Sequence, residues 1–208
     1  MKTKLQNGVR GALTLLVFAL IFTAMMAGTY ALTRDIVANN ERKAKVALIA
    51  QVLPAGSFDN DILQAAIPQD AATLKQLNSE AGSQIYRAQR AARTVAVVVE
   101  TIAPDGYSGK IKLLVGVGLD GRVLGVRVIA HKETPGLGDY IDVAKSAWIK
   151  QFDGKSLTAP QAGEWKVKKD GGEFDFIAGA TITPRAVVKA VKNTLDYVEK
   201  NHVNLFGI

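Results

Sequence analysis

The sequence predicts an α+β protein: a single N-terminal transmembrane helix, a helical neck, and one exported domain built on a largely antiparallel twisted sheet packed by helices. Three observations lead there. Residues 11–32 form a run of 22 uncharged residues. The stretch 85–130 is rich in β-branched residues and is broken by turn residues. Residues 184–200 repeat apolar positions at helical spacing. At 208 residues, 48% hydrophobic and 22% charged, the chain has globular usage, with room for one ordinary domain and an appendage.

The elements follow in order. Residues 1–10 form a basic tail with Lys2, Lys4 and Arg10 and no acid. The uncharged run behind it spans about 33 Å as a helix, enough to cross a hydrocarbon core. A cleaved signal peptide is the rival reading, with Thr29-Tyr30-Ala31 as a loose small-x-small site. A signal's apolar region is about 7–15 residues, however, and this run is longer. The positives before the run outnumber those close behind it, Arg34 standing beside Asp35, so the N-terminus is expected in the cytoplasm and the remainder outside. Residues 33–80 are expected as the helical neck. In it, 34–53 continues the first helix on a face made by Val37, Ala44, Leu48 and Val52, and Pro54 ends it. The stretch 59–78 reads as short helices broken at Pro68, and Ala81-Gly82-Ser83 as a turn. Strands are expected at 85–90, 94–102, 110–116 and 122–130, within a domain spanning 81–208. A helix over 140–152 ending at Gly154, and a hairpin of 165–169 with 173–177 across Asp170-Gly171-Gly172, come next. The closing helix runs from Pro184 to about Lys200, with Val187, Val191, Thr194 or Leu195, and Val198 on its apolar stripe.

Composition excludes several chemistries. With no cysteine there are no disulfides, thiolate nucleophiles or cysteine-held metal clusters, and His131 and His202 are the only histidines. No metal site is expected, and an anchored, exported domain argues against nucleic acid despite a net charge of +7. Gly116-Val117-Gly118-Leu119-Asp120-Gly121 matches a dinucleotide fingerprint, but a strand follows it where the pyrophosphate needs a helix N-terminus. Asp120-Gly121 therefore reads as a hairpin turn. Lys166, Lys168 and Lys169 read as the solvated face of an edge strand, and His131-Lys132-Glu133 as a strand end rather than half a metal site.

Two loops remain. Glu133-Thr134-Pro135-Gly136-Leu137-Gly138 follows a strand, and its glycines and proline give it a fixed shape that lets a flat ligand approach the backbone. Asp175-Phe176-Ile177-Ala178-Gly179-Ala180-Thr181-Ile182-Thr183-Pro184-Arg185 leads into the last helix. Thr183 is a reasonable N-cap there and Pro184 the first helical residue. Three small residues then present Thr181 just before a helix N-terminus, where free N–H groups and the helix dipole favour a phosphate.

Gly179-Ala180-Thr181 with Thr183, following Asp175, resembles the flavinylation motif of the periplasmic FMN-binding domain. That domain is shared by the G subunit of the Rnf (Rsx) electron-transport complex and the C subunit of the sodium-pumping NADH:quinone reductase. Glu133 to Gly138 resembles the second signature of that domain, and the single anchor agrees with it. The short length and the stretch 178–191 look most like the Rnf G subunit. The resemblance implies FMN held covalently by a phosphoester to Thr181, attached by a separate flavin transferase that takes FMN from FAD. Asp175, Gly179 and Ala180 would be read by that transferase. Ala178 stands where many relatives have Ser or Thr, which removes a hydrogen bond but not the acceptor. Glu133, Thr134, Gly136 and Leu137 would lie along the ring. No side chain would be catalytic; the protein would relay electrons among other subunits of a bacterial inner-membrane complex. The C subunit of the quinone reductase, a non-redox periplasmic scaffold, and a sensor that binds flavin reversibly are the alternatives.

Overall fold

The computed structural model describes residues 2–208. The chain divides after Lys45 into two compact units. The first belongs to helix α1 (Lys2–Ala50), which is 49 residues long. From Leu13 to Val37 it exposes large apolar side chains, among them Leu16, Phe18, Phe22, Met26 and Leu32. A helix apolar all round and exposed is suited to lipid rather than water. The hydroxyls of Thr14, Thr29 and Thr33 each donate to the carbonyl four residues back, at 2.8–3.0 Å, which satisfies them where no water is present. Among the described residues this is one helix long and apolar enough to cross a membrane. As the absence of proline before Pro54 predicts, α1 continues past the apolar run to Ala50.

The second unit, from Val46 onward, is built on five antiparallel strands in sequential order: β1 (Ala66–Pro68), β2 (Gln84–Arg90), β3 (Arg93–Gly106), β4 (Gly109–Gly118) and β5 (Val123–Ala130). Alternation sends the two faces of this meander to different cores. Val97, Val99, Ile111, Leu113, Val115 and Val117 point to the side covered by helix α3 (Ile182–Lys200) and the short α4 (His202–Phe206). Tyr86, Ala88, Ala96, Val98 and Leu114 face the other way, onto Ile49, Val52, Leu53 and Ile62. Each fully buried aliphatic side chain here stabilises the fold by roughly 1.5–3 kcal/mol relative to exposure. In β5 the register shifts opposite Gly116 and Val117, so Val123, Val126 and Val128 share one face although their spacing is not uniformly two. Strict alternation from Val123 would put Gly125, rather than Val126, on that face.

The glycines of the fingerprint-like run serve packing. Gly118 N–H bonds to Arg122 and Gly121 sits at φ +74°, closing the β4–β5 hairpin as expected. Gly116 pairs with Gly125 across the ladder, and the Val52 backbone lies over that pair. A Cβ at Gly116 would run into the Val52 carbonyl, and one at Gly125 would stand 2.9 Å from Val52 Cα.

Three local expectations are corrected. Ile67 lies in β1, at the sheet edge, where Pro68 needs no ladder donor. Helix α2 (Ala71–Gln76) begins only after it, capped by Asp70 accepting from Thr73 N–H at 2.8 Å. Residues 140–152 are not one helix but two 3₁₀ turns, Asp139–Ile141 and Trp148–Phe152. Side chains take over the backbone partners between them: Ser146 Oγ donates to the Tyr140 carbonyl at 2.7 Å and accepts from Trp148 N–H, and Asp142 accepts from Ala144 N–H. The expected hairpin at 165–177 is absent. A 3₁₀ turn at Lys168–Asp170 leads to a lone parallel bridge between Val167 and Phe174. That region is held by rings: Trp148, Phe152, Trp165 and Phe174 pack with centroids 4.7–6.4 Å apart. Lys166, Lys168 and Lys169 therefore lie on a loop and not on an edge strand, and Lys168 pairs with Asp175 at 2.5 Å.

Candidate functional site: an apolar cleft at the start of α3

Three segments converge at one end of the sheet: the β3–β4 turn, the loop after β5, and the turn entering α3. The last is shaped by Gly179. Ala180 N–H bonds back to the Ile177 carbonyl at 3.0 Å, with Gly179 at φ +87° in the third position. This is the pattern of a type II turn, which favours glycine there. Tyr140 Oη donates to the Ala180 carbonyl at 3.4 Å, and burial pushes the phenol up to about 12, so it remains a donor.

The loop after β5 is equally determined. The Thr134 carbonyl accepts from the N–H groups of Leu137 and Gly138, and Gly136 N–H donates to Asp139 Oδ1 at 2.8 Å. Glu133 N–H donates to His131 Nδ1, which accounts for the histidine without a metal. The Glu133 carboxylate, 4% exposed, accepts from Thr183 Oγ1 at 2.5 Å and from Ser108 N–H at 3.0 Å. One side chain thus fastens all three segments. Gly138 makes room for it, since a Cβ there would stand 2.7 Å from Glu133 Oε2.

Between these segments lies a shallow cleft, open to solvent and lined by Tyr107, Glu133, Thr134, Leu137, Gly138, Gly179, Ala180, Ile182 and Thr183. Leu137, Ile182 and Tyr107 are large apolar side chains left exposed around it. An apolar slot with a few fixed polar groups suits a flat heteroaromatic ring.

Of the residues singled out from sequence, Glu133, Thr134, Leu137, Gly179, Ala180 and Thr183 come together in the cleft wall. Gly136 shapes the loop without lining the cleft. Ala178 is exposed in the turn, and Asp175 stands apart, its N–H on Gln151 and its carbonyl on Trp148 Nε1. Thr181 is also outside the lining, one residue from Ala180 and two from Thr183. It takes the N-cap position expected for Thr183, because α3 starts at Ile182 and the Thr183 hydroxyl is spent on Glu133. Pro184 is then the third helical residue, so the first-turn donors left without helical partners are the N–H groups of Ile182 and Thr183. Sequence reasoning missed Tyr107, and it named Gly138 and Ile182 only as members of the two loops, without a place along the ring. The signal for Tyr107 was an aromatic inside the turn Asp105-Gly106-Tyr107-Ser108-Gly109, where a polar residue is the ordinary choice.

Comparison with known proteins gives the class first. Residues 106–196 match the FMN-binding domain family, and residues 1–52 match the RnfG N-terminal region. The chain is a flavin-nucleotide-binding domain behind one candidate membrane span. It is 48% identical over 199 residues to the G subunit of the ion-translocating oxidoreductase complex of Pseudomonas aeruginosa (strain UCBPP-PA14), covering 96% of this chain and 92% of that one. The corresponding protein of Vibrio cholerae serotype O1 (strain ATCC 39541 / Classical Ogawa 395 / O395) is 46% identical over 94% of this chain and 92% of its own. That of Shewanella baltica (strain OS223) is 42% identical over 96% and 93%. The chain belongs to the family of G subunits of the ion-translocating oxidoreductase complex. It is an electron-carrying subunit of a membrane oxidoreductase complex, and bound FMN supplies its redox chemistry.

Proposed function

We propose that this protein carries its FMN covalently, through a phosphoester to Thr181, with the domain on the periplasmic side of the inner membrane and the basic tail in the cytoplasm. The observation that carries the attachment site is the contrast between two threonines. Both residues are buried, Thr183 at 1% and Thr181 at 8% exposure, but the Thr183 hydroxyl is committed to Glu133, whereas the Thr181 hydroxyl makes no hydrogen bond among the described residues. Thr181 also precedes the N–H groups of Ile182 and Thr183, which have no helical partner, and the helix dipole there favours a phosphate. Its place beside the cleft, rather than inside it, suits a nucleotide whose ribityl arm separates phosphate from ring.

In this reading a flavin transferase uses FAD: Thr181 Oγ1 bonds to the flavin-side phosphorus, the bond from that phosphorus to the bridging oxygen breaks, AMP leaves, and the hydroxyl proton is released. The type II turn at 177–180 and Asp175 form the recognition sequence. Thr134, Leu137, Tyr107 and Ile182 hold the ring and exclude water from its faces. The tether keeps the cofactor in a compartment where it cannot be replenished, while other subunits of the complex exchange electrons with it.

Co-expression with a flavin transferase, followed by a denaturing gel under ultraviolet light, tests the site. A fluorescent wild-type band that is lost in Thr181→Ala, and retained in part in Thr181→Ser, is the expected result. Equal fluorescence in Thr181→Ala, or a dark wild type beside an active control substrate, would remove the assignment.

A further inference from the structure

Glu133 does more than its fastening role requires. It is 4% exposed, both of its oxygens accept hydrogen bonds, and no lysine or arginine pairs with it among the described residues. Acceptance at both oxygens is the pattern of an ionised carboxylate. Burying an unpaired charge is expensive, and two hydrogen bonds only partly offset it. Fastening needs no charge. A glutamine amide of the same shape accepts from Ser108 N–H through its oxygen and bonds to the Thr183 hydroxyl through its nitrogen. The charge is therefore surplus to the loop geometry. It stands in the wall of the cleft with Leu137, Ile182 and Ala180, where apolar surroundings lengthen its reach. The two nearest titratable neighbours in sequence do not neutralise it: His131 accepts through Nδ1 from the Glu133 N–H, and Lys132 is exposed.

We propose that the buried Glu133 carboxylate sets the redox potential of the flavin, holding it low. The proposal rests on the ring occupying this cleft. Taking up two electrons and one proton leaves the ring with one more negative charge than before. A fixed anion in the same low-dielectric wall disfavours that state and leaves the oxidised ring nearly unaffected. Reduction thus needs a stronger reductant than it would beside a neutral side chain. Gly138 belongs to the same device, because a Cβ there would stand 2.7 Å from Glu133 Oε2.

The test uses the full chain in detergent, loaded by co-expression with the transferase and matched for flavin per protein by absorbance. It is titrated anaerobically with dithionite, the electron donor, against reference dyes. Glu133→Gln should titrate at a distinctly more positive midpoint potential than wild type. Glu133→Asp, which keeps the charge, should return most of the way to wild type. Glu133→Met, neutral and of similar volume, should shift in the same direction as Glu133→Gln and serves in its place if the amide variant does not load. A loaded neutral variant at the wild-type potential would overturn the proposal and leave the FMN assignment standing. So would an Asp variant that shifts as far as the neutral ones. A wild-type chain that takes up no flavin beside an active transferase would overturn both.

Discussion

At the scale of single residues, the candidate site depends on how few hydroxyls and charges are left uncommitted. Thr183 and Glu133 form a buried pair whose members lie 50 positions apart in the chain. Thr183→Val keeps the shape and removes the donor, leaving Glu133 Oε2 buried without its partner. We expect a loss of about 1–3 kcal/mol, read as a lowered midpoint in urea. Arg185 and Asp170 form a two-bond pair at 2.6 Å that ties the 168–170 turn to the first turns of α3. Hydrogen bonding by Arg185 holds the Asp170 carboxyl below its usual value of 3.8. A carboxylate depressed in the folded state contributes stability that is present above its unfolded value and is lost as pH falls through the folded one. Arg185→Gln should therefore be slightly less stable than wild type at neutral pH. The difference should shrink below about pH 4, in thermal melts recorded across that range. A difference that persists unchanged into acid would show that the arginine acts through packing. The pair is partly exposed, so the effect is small.

At the scale of elements, the sheet is the part most plainly written in the chain. The apolar runs of β3 and β4 alternate between two cores, so a one-residue slip in either would send each set into the core shaped for the other. The glycine pair 116 and 125 lets the segment after α1 lie directly on the strands. Gly116→Ala should push Val52 off the sheet and cost about 1–3 kcal/mol, as overpacking does. Circular dichroism melts check the loss, and retained sheet signal in the variant would show that only the covering segment moved. By contrast, residues 139–177 contain hardly any regular structure and owe their path to stacked rings and side-chain bonds to the backbone. Periodicity has no purchase on such a segment, because a Trp–Phe contact stabilises a turn as readily as a helix. Two of the three corrected elements lie there.

At the scale of the whole molecule, the core extends further toward the N-terminus than residue 81. Ile49, Val52, Leu53 and Ile62 cover the sheet face made by Tyr86, Ala88, Ala96, Val98 and Leu114. A chain starting at Val46 keeps that cover and should be soluble and melt in one cooperative transition. A chain starting at residue 81 loses β1 as well and exposes an apolar sheet face with a free edge, so it should aggregate. Size-exclusion chromatography of the two truncations decides the matter, and a soluble monomer from residue 81 would show that the cover is dispensable. The candidate membrane span answers to a different solvent. Its threonines satisfy their own hydrogen bonds, and its apolar surface is turned outward all round.

How much was legible follows from the range of each interaction. The uncharged run, the alternating strands, the β4–β5 turn and the stripe of α3 are local patterns, and each is an unavoidable consequence of which neighbours are apolar. The motif at Gly179 to Thr183 and the loop from Glu133 could be read as two special turns, each explained by its own glycines. Only tertiary structure decided that they face one another, that Tyr107 from a third turn completes the cleft, and that Glu133 takes up Thr183 while Thr181 stays free. Nothing in a one-dimensional pattern encodes a 2.5 Å bond between residues 133 and 183. It exists because the sheet and α3 bring two loops to the same end, and a buried carboxylate must then find its donors there.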